Sequence, residues 1–451
     1  MGTRVRPHAA YVVVALAALL VAAPAAEAKK REHGVDRAKL MKRAERIVEQ
    51  RNGIEVKRVS RCSPRRVKRK RTKRLDYSRW VCHWRAVGEL PGRVPYHCSG
   101  KARWTRKHDR WRVDRCVNKM QPYAPLREVP NPHPKFGFND DWHLHLTRSS
   151  VSHTLSVLNR FEQTGADVAR MGIYWDTVEP FRGGKQNWIE YDALYVTLVS
   201  NGIRPLWVVL GAPCWAQGSC NGSLSPPAPE HVNDFGRFAA AVARRYPLAV
   251  GVEVWNEPNY SRFWGGKRPN PDLYGAMLTS AAAHIRERIP TMPVVSGGLS
   301  PHGDNDNGAV GFQPYLRRLY ELGAAQQADA IGIHPYPGVG PGEDYIANVR
   351  IQLGKIQREM GRAGHAAPMW ATEYGVSTTG PHAFPAEAQG PALAELYEIF
   401  RRVDRVDVAI VHRMIDQPDL QGREAGFGIL DQALKAKPAL CSIALVRGLL
   451  C

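Results

Sequence analysis

Gly251-Val-Glu-Val-Trp-Asn-Glu-Pro-Asn259 is a short apolar strand that runs straight into a turn rich in polar residues. The β-branched valines favour an extended segment over 251–255, and Pro258 prevents its continuing as a helix. Alternating side chains share a face, which places Glu253 and Glu257 on one side, Glu253 deeper and ion-paired. Met369-Trp-Ala-Thr-Glu-Tyr-Gly375 has the same form, a strand over 369–373 that closes in a glutamate. Outward from these two, strand-like segments recur at 136–139, 168–174, 204–210, 293–296, 330–334 and 406–412. Helix-like segments fill the gaps, among them 231–246, 272–288, 312–322, 344–360 and 391–403. Strand–helix alternation of this kind implies parallel strands with helical crossovers, and eight strands suffice to close a (β/α)8 TIM barrel over 135–451. An open doubly wound sheet would carry a glycine-rich phosphate turn after its first strand, and none is present.

In such a barrel the working groups stand at the C-terminal ends of strands, so Glu257 and Glu373 are the residues to weigh. Two carboxylates facing each other across a barrel mouth suit cleavage of a glycosidic bond by double displacement. One attacks the sugar carbon as an anion and the other, protonated, donates to the leaving oxygen. Asn256 is placed to hydrogen-bond a sugar hydroxyl beside the reacting carbon. Trp142, Trp175, Trp215, Tyr260 and Trp264 lie at or after strand ends, where rings can stack on sugars.

With Asn256-Glu257 ending strand four and Glu373 ending strand seven, residues 135–440 resemble the retaining (β/α)8 glycoside hydrolases of clan A, most of all families 39 and 5. That resemblance implies that Glu257 is the general acid/base and Glu373 the nucleophile. It also implies a substrate-side set of Asn256, Arg170, His334, Tyr336 and Trp175. Arg170 lies near the nucleophile, Trp175 with Glu179-Pro180 continues strand two, and in His334-Pro335-Tyr336 the tyrosine hydrogen-bonds the nucleophile. No metal and no organic cofactor are implied. Strand eight departs from the pattern, because Val411-His412-Arg413-Met414 stands where an aromatic sugar platform is usual.

The chain carries a formal charge of +21, unevenly spread. Residues 29–119 hold 31 Lys/Arg against 9 Asp/Glu, which leaves the rest of the chain close to neutral. Residues 1–28 read as a signal peptide, with Arg4 and Arg6, an apolar run from Tyr11 to Ala23 and the small-x-small site Ala26-Glu27-Ala28. The mature chain then has no transmembrane segment and is secreted or bound to the cell envelope. Residues 29–120 read as a basic, disulfide-stapled α+β domain: a helix over 37–51 and strands over 54–60, 79–87, 96–104 and 111–116. Its run Arg65–Arg74 has eight basic residues in ten and reads as an exposed loop. The prolines between 121 and 134 form a linker.

Export oxidises thiols, so the eight cysteines read as disulfides. Cys214 pairs with Cys220 and Cys441 with Cys451, and three connectivities stay open for Cys62, Cys82, Cys98 and Cys116. The basic domain is expected to bind anionic envelope polymers or acidic glycans, with Trp80, Trp84, Trp104 and Trp111 either stacking on a ligand or filling a core. Nucleic acid is the less accessible polyanion outside the cell.

Together these readings describe an exported retaining β-glycosidase acting on a polysaccharide or oligosaccharide. Two alternatives are a transglycosylase using the same glutamates and a non-catalytic glycan-binding envelope protein.

Overall fold

The computed structural model describes residues 31–32, 35–52, 58–69, 72–90, 94–113, 134–139, 151–222, 224–403 and 405–451. The proposed signal peptide, residues 121–133 of the linker, Cys116 and Trp142 lie outside the described residues, as does any bond of Cys98 to Cys116. The chain divides into two compact units, Met1–Pro122 and Tyr123–Cys451.

In the first unit β1 (Arg31–Glu32) pairs with β2 (Val35–Asp36), and the helix Arg37–Asn52 follows at once. Asp36 starts that helix, its Oδ1 accepting the backbone N–H groups of Ala38 and Lys39. Strands β3 (Arg58–Arg69), β4 (Thr72–Leu90), β5 (Val94–Thr105) and β6 (Arg110–Val113) form an antiparallel sheet in sequence order. Leu40, Ala44 and Val48, spaced by four, lay one helix face on the sheet over Val59, Cys62, Trp80, Cys82, Ala102 and Trp111. Cys62 and Cys82 are direct cross-strand partners joined by a disulfide.

One expectation changes here and one open alternative closes. The basic run is not a loop: Arg65–Arg69 belong to β3 and Thr72–Arg74 to β4, with Val67 opposite Arg74 and Lys68 opposite Lys73. A hairpin satisfies its backbone by pairing alone, so a run with a single apolar residue can still be strand. Trp80 and Trp111 are core residues, and Trp104 is half-buried, stacked on Trp111 with its Nε1 donating to Asp109. The side chain of Trp84 is outside the described set.

The second unit is a parallel eight-stranded barrel: β7 (Lys135–Asn139), β8 (Val168–Tyr174), β9 (Arg204–Leu210), β10 (Gly251–Val254), β11 (Val294–Ser296), β12 (Ile331–Ile333), β13 (Met369–Tyr374) and β14 (Val406–His412). Ladders run unbroken from β11 back to β7 and on through β14 and β13 to β12. Single bridges, Val295 to Ala330 and Leu299 to Ile333, close the ring between β11 and β12. The helices Val151–Thr164, Ile189–Ser200, Val232–Arg245, Pro271–Arg288, Phe312–Glu321, Tyr345–Arg362 and Ala386–Arg402 form the outer layer. The last begins before the expected start, because it runs through Pro391 instead of opening there.

At the N-terminal ends of the strands Val168, Leu206, Val250, Val295, Ala330, Trp370, Val408 and Ile410 plug the barrel, so every polar group that must work is driven to the other end. Disulfides link Cys214 to Cys220, in the loop after β9, and Cys441 to Cys451. Among the described residues no helix is long and apolar enough to cross a membrane.

Candidate active site

Above the apolar plug sits a buried cation. Arg170, third in β8, is 3% exposed. Its Nε and Nη2 donate to the two oxygens of Glu253 at 2.7 and 3.1 Å. Its Nη1 donates to Glu373 Oε1 at 2.6 Å, and Nη2 also reaches Asn256 Oδ1 at 2.6 Å. One guanidinium fork thus ties β8, β10 and β13 together at the depth where the chemistry begins. Burial works against its charge, but Glu253 and Glu373 alongside outweigh that and raise its pKa, so it stays a cation. Glu253 is fully buried, and Gly298 N and Thr372 Oγ1 also donate to it at 2.8 and 3.0 Å.

Glu373 has both oxygens engaged. Oε1 accepts from Arg170 and from Asn139 Nδ2 at 2.9 Å, and Oε2 accepts from Tyr336 Oη at 2.7 Å. Burial alone would raise this carboxyl. The neighbouring His334, Arg170 and His412 and the Tyr336 hydrogen bond win, and hold it well below the usual carboxylate range. Tyr336, its phenol pushed far above the usual value by burial and by Glu373, remains a donor.

Glu257 sits at the mouth in a less common backbone conformation. Its φ is 38° and that of Trp255 is 71°, both positive in non-glycine residues. Such outliers persist only where the surroundings over-determine them. Here Trp255 is fixed by donating Nε1 to Phe263 O at 3.0 Å and by an edge contact with Phe235. Because Arg170 can only donate, Asn256 must present Oδ1 to it, which leaves the amide N–H groups of Asn256 for a ligand.

His334 is buried beneath both glutamates, with Nδ1 3.1 Å from Glu257 Oε1 and 3.6 Å from Glu373 Oε2. The backbone of Gly298 makes room for this ring, since a Cβ there would lie 2.1 Å from His334 Nε2. One ligand atom each from Glu257, His334 and Glu373 lie within 4.8 Å of one another. A metal could use such a trio, but both Glu373 oxygens already accept from donors, one of them a guanidinium that a cation would repel.

These residues open into a cavity of about 770 Å³, lined by Arg170, Asn256, Glu257, Tyr336 and Glu373. Two expected ligand contacts are placed elsewhere. His334 lies under the floor, outside the cavity lining, with Nδ1 toward the glutamates. Trp175 is 1% exposed among Trp215, Phe235 and Phe238, with Nε1 donating to Glu179, and is a core residue. The reason is local: the helical turn Trp175–Val178 directly after β8 swings the ring outward beneath the helix Val232–Arg245. Of the other expected aromatics, Tyr260 lines the cavity, stacked on His302 at 4.6 Å, whereas Trp264 is buried and Trp215 braces the Glu179 carbonyl.

No family model matches the sequence, and no curated protein matches it. Solved structures do. A family 39 glycoside hydrolase from Bacteroides cellulosilyticus WH2 aligns over 86% of this chain and 76% of its own, at 19% identity and a TM-score of 0.55. A monomeric β-xylosidase from Caulobacter crescentus CB15 covers 70% and 69%, at 18% identity and a TM-score of 0.54. A family 5 enzyme from Streptomyces cattleya, solved with Manβ1-4GlcNAc, covers 70% and 80%, at 17% identity and a TM-score of 0.51. The fold is the (β/α)8 barrel of glycoside hydrolase families 39 and 5. At these identities the likeness is one of fold, and the chemistry has to come from the site.

The site also contains groups that sequence reading passed over. Asn139 ends β7 and His412 ends β14, neighbours in the barrel, with Asn139 Nδ2 3.0 Å from His412 Nδ1. His412 Nε2 is 3.4 Å from Glu424, in the short helical segment Gly422–Gly426, and 3.2 Å from Arg413 Nη2. Burial would raise Glu424, but the hydrogen bond and charge of His412, with Arg413, hold it below the usual range. Arg423 lies over the rings of Tyr336 and Phe427. Position alone could have flagged Asn139 and His412, since each closes a barrel strand.

Proposed function

We propose that this protein is an exported retaining β-glycosidase that hydrolyses O-glycosidic bonds of a polysaccharide or oligosaccharide. The observation that carries the reading is the carboxylate pair, whose facing oxygens lie within 4.8 Å of each other. Retaining enzymes hold their two carboxyls about 5–5.5 Å apart, whereas inverting enzymes leave about 6.5–9.5 Å for a water. Glu373, ionised by its donors, is the nucleophile. It attacks the anomeric carbon while Glu257 gives its proton to the leaving oxygen, forming a glycosyl–Glu373 ester. Glu257, now a carboxylate, then takes a proton from the water that cleaves this ester. His334, with Nδ1 3.1 Å from Glu257 and 3.6 Å from Glu373, lies where it supports the anion on whichever one carries it at each stage. Asn256 holds a sugar hydroxyl, and the amide orientation set by Arg170 fixes it as a donor there.

Export is supported by the leader-like residues 1–28 and by the three disulfides among the described residues. Transfer of the glycosyl group to an alcohol would use the same pair, and product analysis with added alcohol separates the two outcomes. The test is sugar release from aryl β-glycosides and from plant and bacterial polysaccharides, by the wild type and by Glu373→Ala. Release by the wild type alone supports the proposal. Equal release by both refutes the assignment of Glu373.

A further inference from the structure

We propose that the sugar attacked by Glu373 is a uronic acid, and that Arg413 and Arg423 bind its carboxylate. The proposal rests on the glycosidase reading and names the substrate class of the same cavity. Arg413 directly follows β14, is 8% exposed and lines the cavity. Only its Nη2 has polar neighbours, His412 Nε2 at 3.2 Å and Glu424 Oε2 at 4.0 Å. Its Nε and Nη1 are buried without any hydrogen-bond partner. Arg170, buried in the same site, has every guanidinium nitrogen engaged. A buried donor left without an acceptor is costly, and more so on a charged group. A site that satisfies one guanidinium fully and strands a second is short of an acceptor, and the ligand is what can bring one. Arg423, exposed on the cavity wall, lies over the rings of Tyr336 and Phe427 at 5.1 and 5.0 Å and forms no ion pair among the described residues.

Both arginines stand on the nucleophile's side of the cavity. His412 separates Arg413 from Glu373, with Nδ1 3.9 Å from Glu373 Oε2, and Tyr336, beneath Arg423, donates to that same oxygen. A group that meets both guanidinium groups therefore belongs to the sugar that becomes bonded to Glu373, and not to the leaving group beside Glu257. A neutral hydroxyl offers one oxygen, whereas a carboxylate offers two that only accept, enough for both arginines, in charge-assisted hydrogen bonds. The free donors of Arg413 lie under the cavity wall, so its guanidinium turns toward the ligand as the carboxylate binds.

The full chain would be assayed on 4-nitrophenyl β-glucuronide and β-galacturonide, each against its neutral partner, the β-glucoside or β-galactoside. The uronide is expected to be cleaved faster in at least one pair. Arg413→Gln should lower kcat/KM on that uronide about 10- to 150-fold, the loss of a hydrogen bond to a charged group, and change the neutral partner by about threefold or less. Arg423→Gln, at an exposed position that keeps the test open if Arg413→Gln does not fold, should lower the uronide preference about two- to fivefold. Arg262→Gln removes a cavity cation after β10, on the side of Glu257, and should leave the preference within about twofold. NMR titration of the wild type and Arg413→Gln with glucuronate, galacturonate, glucose and glucose 6-sulfate reads the subsite without turnover. If no glycoside is cleaved, the glycosidase reading falls and this titration decides the subsite: uronate-selective binding that Arg413→Gln abolishes supports it, and its absence overturns it. Faster cleavage of the neutral partner in both pairs, an equal fall on both members of a pair in Arg413→Gln, or tighter binding of the 6-sulfate than of either uronate would overturn the proposal while leaving a glycosidase.

Discussion

Replacing Arg170 by methionine removes the one cation shared by Glu253 and Glu373 while keeping a side chain of similar reach. Four hydrogen bonds to three partners are lost. Deleting one member of a buried ion pair costs about 3–5 kcal/mol, because the remaining charge is left without compensation. Glu253 keeps Gly298 N and Thr372 Oγ1, and Glu373 keeps Tyr336 and Asn139, which places the expected loss at about 3 kcal/mol, the lower end of that range. The sign of the pH effect follows from Glu373. Its carboxyl is depressed in the folded protein, so its contribution to wild-type stability is complete above the unfolded value of about 4.3 and is lost as pH falls through the folded value. Without Arg170 the folded value rises, so the gap between variant and wild type is widest near neutrality and narrows below about pH 4. Arg170→Met/Glu253→Gln neutralises the orphaned partner and is expected to recover about 2 kcal/mol of stability. Activity should stay down by about 10²- to 10³-fold, because Glu373 still lacks its counter-charge. Urea unfolding across pH, with the barrel transition fitted separately since two units need not melt together, and kcat/KM on an aryl β-glycoside measure both. A single variant within 1 kcal/mol of wild type, or a double variant that regains activity along with stability, would refute the reasoning.

Other substitutions probe neighbouring parts of the site. Tyr336→Phe removes a hydrogen bond to a charged group, worth about 1.5–3 kcal/mol, so kcat/KM should fall about 10- to 150-fold and its acid limb should move to higher pH. An unchanged pH profile would deny Tyr336 its part in holding Glu373 ionised. Gly298→Ala drives a methyl into His334 and Thr372 Oγ1 and should cost about 1–3 kcal/mol together with a fall in kcat. Gly303→Ala, where nothing lies within 4 Å, serves as its control and should do neither. Trp175→Ala should cost about 3–5 kcal/mol by urea unfolding while the folded fraction keeps its KM, as befits a core residue outside the cleft.

The barrel was legible because its strands are short apolar runs that recur between amphipathic helices, and β8, β9 and β14 begin and end where the pattern of residues places them. Glu257 and Glu373 stood out for a related reason, since each stands at or just past a strand end and a barrel gathers strand ends. What could not be read is how residues from different strands divide the work. Asn139 and His412 meet because β7 pairs with β14, the first strand of the barrel with the last, and no spacing along the chain reports that contact. His334 was legible as a strand end but not as a buried neighbour of both glutamates, because its depth depends on Gly298 in the loop after the preceding strand. Trp175 misled because a strand end and the first turn of a helix coincide there, and one turn is enough to move a ring from cleft to core.

The most direct test of the central claim is the anomeric configuration of the first product. The wild type would be mixed with an aryl β-glycoside that it cleaves, and the released sugar followed by proton NMR before mutarotation. Double displacement at a carboxylate pair this close requires that the β anomer appear first. An α anomer appearing first would mean a single inversion, and would contradict the roles given to Glu257 and Glu373.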